Sequence, residues 1–119
     1  VAGDAIFIGW GDPVHGREQK GLEVFGEAVA LWGRLQEEGA IESFEPVLLG
    51  PHGGDLQGFF LLRGDRAKLD EVVRSDDFER VMTRASLIIE RLGAIPAYCG
   101  EGIQKPMAVY QEASAELAG

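Results

Sequence analysis

The chain is poor in several things, and each shortage narrows what it can be. Among 119 residues there is one cysteine, Cys99. A disulfide framework within the chain is therefore excluded, and the residue fits a reducing compartment in the role of a small hydrophobe. Basic residues are outnumbered, 11 Lys and Arg against 20 Asp and Glu, for a formal charge of −9 spread without blocks of one sign. Such a field repels a phosphate backbone, and no basic stripe overrides it, so no nucleic-acid partner is expected. No apolar run approaches the length of a membrane span, and Val1-Ala2-Gly3-Asp4 lacks the basic start of a secretory signal, which predicts a cytoplasmic protein with no membrane partner. Only two histidines are present, His15 and His52, without the close spacing of a zinc site, so no metal and no cofactor are expected. Gly9-x-Gly11 follows an apolar run, but Val14 stands where a dinucleotide fingerprint needs its third glycine. With no repeat and no linker, residues 1–119 read as one domain with a C-terminal extension from about residue 101.

What the chain has in plenty is glycine, 17 residues, about twice the usual share of roughly 7%. Most of the excess falls between apolar segments and marks element ends. Ala5 to Trp10 reads as a central strand. Leu22, Phe25, Ala28, Val29, Trp32 and Leu35 then recur at helical spacing, predicting a helix over about Arg17 to Glu38 that Gly39 terminates. Gly26 and Gly33, seven residues apart on one helix face, suggest a close backbone approach there. Two further apolar runs, Phe44 to Leu49 and Leu56 to Leu62, flank a turn at residues 50–55 and read as a hairpin. Asp65 can cap a short helix from Arg66 to Val73, and Ser75 or Asp76 can cap a longer one whose stripe runs through Phe78, Val81, Met82, Ala85, Ile88, Ile89 and Leu92. Ala94 to Cys99 reads as a last strand, placed at a sheet edge by Pro96. Pro106 suits the first turn of a C-terminal helix carrying Met107, Tyr110 and Leu117.

The order β-α-β-β-α-β predicts an α+β, ferredoxin-like fold, an antiparallel sheet with helices on one face. The hairpin strands are apolar on both faces: Phe60 and Leu62 point one way, Phe59 and Leu61 the other. One layer of helices cannot cover both, so a homodimer with sheets packed face to face is expected. In this order of elements, this second apolar face and the helix SDDFERVMTRASLIIERLG, residues 5 to 99 resemble the dimeric α+β barrel superfamily. FEPVLL, HGGDLQGFFLLRGD and YCGEG are similar to segments of a bacterial family of small proteins with no assigned activity. The resemblance implies a cleft between sheet and helices, used in the superfamily by cofactor-independent monooxygenases, isomerases, haem-handling enzymes and plain ligand binders. It carries no catalytic residue onto this chain.

Topology brings the loop after the first strand and the hairpin turn to the same end of the sheet. Asp12 and His15 would then share a rim with His52 and Asp55, two imidazoles each three residues from a carboxylate, the usual pairing for proton transfer near neutral pH. Ordinary turn and helix-start chemistry explains the same residues. Trp10 and Phe59 are candidates to line an adjoining pocket, while Arg63, Arg66 and Lys68 read as a solvated face. Three functions stay open. One is binding of a small, largely apolar molecule in the cleft. The second is a cofactor-free isomerase or monooxygenase using His15 or His52, and the third is a non-catalytic assembly or regulatory module.

Overall fold

The computed structural model describes residues 3–118, so Val1 and Ala2 of the N-terminal stretch lie outside the described residues. Four strands, β1 (Asp4–Trp10), β2 (Ser43–Leu48), β3 (Gly58–Gly64) and β4 (Gly93–Tyr98), form one sheet in the order β2-β3-β1-β4, every pair antiparallel. Helix α1 (Glu18–Glu37) joins β1 to β2, and α2 (Arg66–Arg74) with α3 (Asp76–Ser86) joins β3 to β4. This is the ferredoxin-like fold. The two central strands carry the runs richest in large apolar residues, and each edge strand holds a proline, Pro46 in β2 and Pro96 in β4, where a missing N–H costs the sheet least.

Alternation along the strands divides the sheet into two unlike faces. Ile6, Ile8, Phe60 and Leu62 are buried beneath the helices, packed with Trp32, Leu35, Leu69, Val72 and Phe78. The opposite face has no helix over it. There Phe7 lies across from Leu61 on one side and Ile95 on the other, and Val47 lies across from Phe59. Phe7, Phe59, Leu61 and Val47 are half-buried, and Ile95 is 58% exposed. An ion pair from Arg63 to Glu45, 3.1 Å long, borders this apolar strip.

Several local expectations shift. The hairpin turn extends over residues 49–57, because pairing ends with the Leu49 N–H to Gln57 carbonyl bond of 2.9 Å. Along α1 the buried stripe is Gly21, Val24, Ala28, Leu31, Trp32 and Leu35, and Leu22 is 66% exposed. Gly26 and Gly33 have nothing within 4 Å of where a side chain would start, so they mark no close approach. Ser75, not Asp76, caps α3: its hydroxyl accepts from Phe78 N–H and donates to the Val72 carbonyl, tying the end of α2 to the start of α3. Helix α3 stops at Ser86 although its apolar stripe continues, since residues 88–90 pair with the loop after β1. The Val14 N–H donates to Ile88, Glu90 N–H to Asp12, and Gly11 N–H to Glu90, at 2.6–2.8 Å. Arg91 completes the reversal with a φ of 59°. After β4, a short 3-10 turn (Gly100–Ile103) leads into α4 (Gln104–Ala118), none of whose residues is buried. No helix among the described residues is long and apolar enough to cross a membrane.

Candidate functional site: a cleft between sheet and helices

A cavity of about 390 Å³ opens between α1, α3 and the covered face of the sheet. Its existence follows from the sequence of α1. Gly21, Phe25, Ala28 and Trp32 succeed one another along the inner face, and the small residues leave space that the large ones wall. The Cβ of a residue at position 21 would meet nothing closer than 3.8 Å. Opposite stand Ile8 and Phe60 from the sheet, and Met82, Ala85 and Leu92 close the far side.

The wall is strongly aromatic. Phe60 stacks on Phe25 with centroids 5.2 Å apart, Trp10 lies 4.9 Å from Phe60 and meets Phe25 edge-on at 5.9 Å, and Trp32 stands edge-on to Phe60 at 5.8 Å. Such pairs hold planar side chains at defined angles and keep the cavity from collapsing. Trp10 owes its position to Gly58, its neighbour across the ladder, where a Cβ would stand 2.7 Å from the indole ring. Two ion pairs clasp α1 to α3: Arg84 donates to both oxygens of Glu27 at 2.8 and 2.9 Å, and Arg34 pairs with Asp77. The two hydrogen bonds from Arg84, aided by its charge, hold the Glu27 carboxyl below the ordinary carboxylate range.

Polar groups are confined to the rim, where Asp12, Glu18 and Gln57 line the opening. Among the described residues no polar or charged side chain is buried. One buried donor has no acceptor: Nε1 of Trp32, in a side chain 1% exposed, is the sole buried side-chain nitrogen or oxygen in that condition among the described residues.

The residues singled out from the sequence divide around this cleft. Trp10 and Asp12 line it, and the loop after β1 does share an end of the sheet with the hairpin loop, Gln57 N–H donating to the Trp10 carbonyl at 2.8 Å. Neither histidine lines it. His15 is exposed. His52 folds into its own loop: its Nδ1 accepts from Gly54 N–H at 3.1 Å, which leaves Nε2 protonated and donating to the Leu56 carbonyl at 2.6 Å. Both ring nitrogens are thereby committed to holding the turn. Asp55 pairs with Arg91 at 3.4 Å, bracing the hairpin loop against the reversal after α3. Phe59 faces away from the cleft, 5.0 Å from Phe7 on the open side of the sheet, as strand alternation requires once Phe60 points inward. Among the described residues no group of three His, Cys, Asp or Glu side chains could hold a metal ion. What sequence reasoning missed was Gly21 beside Ala28 on the buried face of α1, the signal for a gap, and the unpaired nitrogen of Trp32.

No protein-family model and no curated protein matches the chain. Among solved structures the chain is similar to a dimeric protein of ferredoxin-like fold and unknown function from Bacteroides fragilis, at 10% identity and a TM-score of 0.58 over 81% of this chain and 96% of that one. It is also similar to SnoaB, a cofactor-independent oxygenase from Streptomyces nogalater, at 15% identity and a TM-score of 0.57, covering 83% and 95% of the two chains. A hydroxynitrile lyase from Passiflora edulis matches at 12% identity and a TM-score of 0.62, covering 85% and 97%. The chain thus has the ferredoxin-like α+β fold of proteins that include dimers, oxygenases and lyases.

Proposed function

We propose that this protein is a two-fold homodimer joined through the open sheet face, and that each subunit binds a small, largely apolar molecule in the cleft between sheet and helices. The observation that carries the reading is the cleft itself: a cavity of about 390 Å³ walled by aromatic and aliphatic side chains with polar groups only at its mouth. Protein interiors close-pack, and a gap of this size inside the core forfeits dispersion contacts along its whole wall. It lies in the range of about 300–1,000 Å³ typical of small-molecule sites. Support for the dimer comes from the apolar strip of Phe7, Phe59, Leu61 and Ile95 and from the dimeric protein of like fold. Binding is favoured over proton transfer by His15 or His52, because His52 spends both nitrogens on its own loop and neither imidazole borders the cleft.

Both tryptophans stand in the cleft wall, so intrinsic fluorescence reports occupancy directly. Titration with a two- or three-ring aromatic hydrocarbon is expected to quench it saturably at one molecule per chain, and Ala28→Leu, which pushes carbon into the cavity, is expected to weaken binding. Absence of saturable quenching with hydrocarbons of every size that fits would overturn the cleft reading.

A further inference from the structure

Alone among the four α-helices of the described residues, α4 buries none of its side chains. Its apolar residues are nonetheless ordered. At about 100° per residue, Met107, Tyr110 and Leu117 gather within about 80° of the helix circumference, and Lys105, Glu112 and Glu116 fall within about 40° on the opposite side. The three apolar side chains are 49%, 66% and 86% exposed. Helices of about 12–15 residues are marginal in water unless an apolar face is packed, and α4, 15 residues long, has no such packing within its own chain. It also leaves the body of the domain. The radius of gyration is 16.2 Å and the longest dimension 54 Å, where a compact chain of this length has a radius of about 13–14 Å. The base of the helix is firmly placed all the same. Cys99 N–H donates to the Gly3 carbonyl at 2.7 Å, and Gly3 and Gly102 meet backbone to backbone with no room for a side chain at either position.

We infer that α4 is an arm that lays the stripe of Met107, Tyr110 and Leu117 on the partner subunit of the homodimer. The inference rests on the dimer reading and adds a second contact to it. Continuity and area select a second copy of this chain as the surface that receives the arm. The chain passes from the edge strand β4, whose Ile95 lies on the open sheet face, through the Gly100–Ile103 turn directly into α4, so the arm springs from the border of the proposed interface. The sheet face by itself is small. Four strands about 4.8 Å apart, each of six or seven residues at about 3.3 Å, span roughly 19 by 22 Å, or about 420 Å². Packed sheets cross at about 30°, which trims the corners, and the Arg63–Glu45 ion pair takes part of the rest. A stable dimer buries about 800 Å² on each partner. One side of α4, about 22 Å long and 10 Å wide, covers roughly 220 Å². By two-fold symmetry each subunit gives one arm and receives the other, so that area counts twice per partner and brings the total near the required figure. The face with Lys105, Glu112 and Glu116 then stays in water.

Two measurements on the full chain test the arm. In the first, protein labelled with ¹³C-methyl methionine is equilibrated with unlabelled protein, and isotope-filtered NMR detects contacts between chains. The chain has two methionines, Met82 in the wall of the cleft and Met107 on the arm, so the first is an internal control. The Met107 methyl is expected to show contacts to the unlabelled chain, and Met82 none. In the second, sedimentation compares the double variant Met107→Glu, Tyr110→Glu with Ala108→Glu, Ala115→Glu, which adds the same charge away from the stripe. The first pair is expected to raise the dissociation constant of the dimer at least about 100-fold, and the second pair to change it less than about fivefold. A wild-type dimer in which Met107 shows no contact between chains overturns the arm and leaves the dimer standing, as does equal weakening by both pairs of substitutions. An assembly larger than two chains that the Met107 and Tyr110 changes reduce to a dimer places α4 between dimers and overturns its place within one. A wild type that sediments as a single chain overturns the dimer reading itself, and the arm with it.

Discussion

Leu61 offers the sharpest test of the proposed dimer, kept apart from a test of the fold. It sits on the open side of β3, across from Phe7 on β1 and Glu45 on β2, and it is half-buried within one chain. Moving a leucine wholly out of water is worth about 1.5–3 kcal/mol. Roughly half of that remains for a second subunit to supply, about 1 kcal/mol per copy, and two-fold symmetry doubles it. Leu61→Lys therefore removes about 2 kcal/mol of apolar contact, which alone raises the dissociation constant of the dimer roughly 30-fold. Two ammonium groups carried into a sheet-to-sheet interface add several kcal/mol of desolvation, less what each escapes by extending toward water. In the separated chain the same lysine faces solvent opposite Glu45, and a cross-strand pair of opposite charge is worth about 0.2–1 kcal/mol in the fold's favour.

The variant is thus expected to be a folded monomer. Sedimentation velocity on the wild type and the variant over a range of concentrations reads the association, and thermal unfolding at the lowest concentration reads the fold. A wild type of about 26 kDa and a variant of 12.9 kDa, the mass of one chain, with similar melting of the isolated chains, is the expected outcome. A variant that dimerises as tightly as the wild type would refute the use of this face. A wild type that is a single compact chain at working concentration would refute the assembly altogether.

Further outcomes follow from other contacts. Ser75→Ala loses both the cap of α3 and the tie to α2, and should lower the melting temperature by roughly 4–8 °C, the effect of about 1 kcal/mol in a domain near this size. His52→Ala frees Gly54 N–H and the Leu56 carbonyl, so amide exchange in the hairpin loop should quicken, whereas aromatic-probe affinity should stay within about twofold, as for a residue outside the binding wall; a tenfold loss would put His52 in the site. Removing residues 104–118 from the Leu61→Lys monomer should shift its melting temperature by less than about 2 °C, since no residue of α4 is buried in the chain. The clasp of Glu27 by Arg84 holds that carboxyl below its unfolded value of about 4.3, so its contribution is complete above that pH and disappears as pH falls through the lower, folded value. Acid unfolding of Arg84→Leu should therefore differ from the wild type most above the unfolded carboxyl value of about 4.3 and converge on it as the pH falls through the lower, folded value.

Much of the architecture was legible because single-residue chemistry and tertiary need agree along most of the chain. Pro96 does sit in an edge strand, Asp65 does cap α2, and Gly39, with a φ of 80°, ends the first helical run. The misreadings fall where a tertiary partner overrides the local pattern. Ile88, Ile89 and Leu92 keep a helical period, yet the loop residues Gly11 to Val14 take the backbone of 88–90 for their own hydrogen bonds and unwind it. Nothing in the period distinguishes the two outcomes. Gly11 hints at one: where the loop, the hairpin and the reversal converge, a Cβ would press against the Glu90 carbonyl at 3.0 Å, so glycine eases the approach.

The cleft was harder to see for a different reason. A helix stripe is recognised by its large residues, and Phe25 and Trp32 fill that role, so α1 reads as solid core. A cavity is written in the small residues between them, Gly21 and Ala28, and smallness at a buried position has two opposite meanings, close approach or open space. Only the placement of the opposing surface decides which. At Gly21 the nearest atoms belong to Pro13, 3.8 Å from a built Cβ and so at ordinary contact distance, which leaves the surface standing off by the width of one methyl group. What holds it off is the same ladder between residues 11–14 and 88–90 that shortened α3, for Pro13 and Ile89 both line the opening. The ladder that ends α3 at Ser86 therefore also forms one edge of the cleft, so the loop after β1 shapes both the helix and the space beside it.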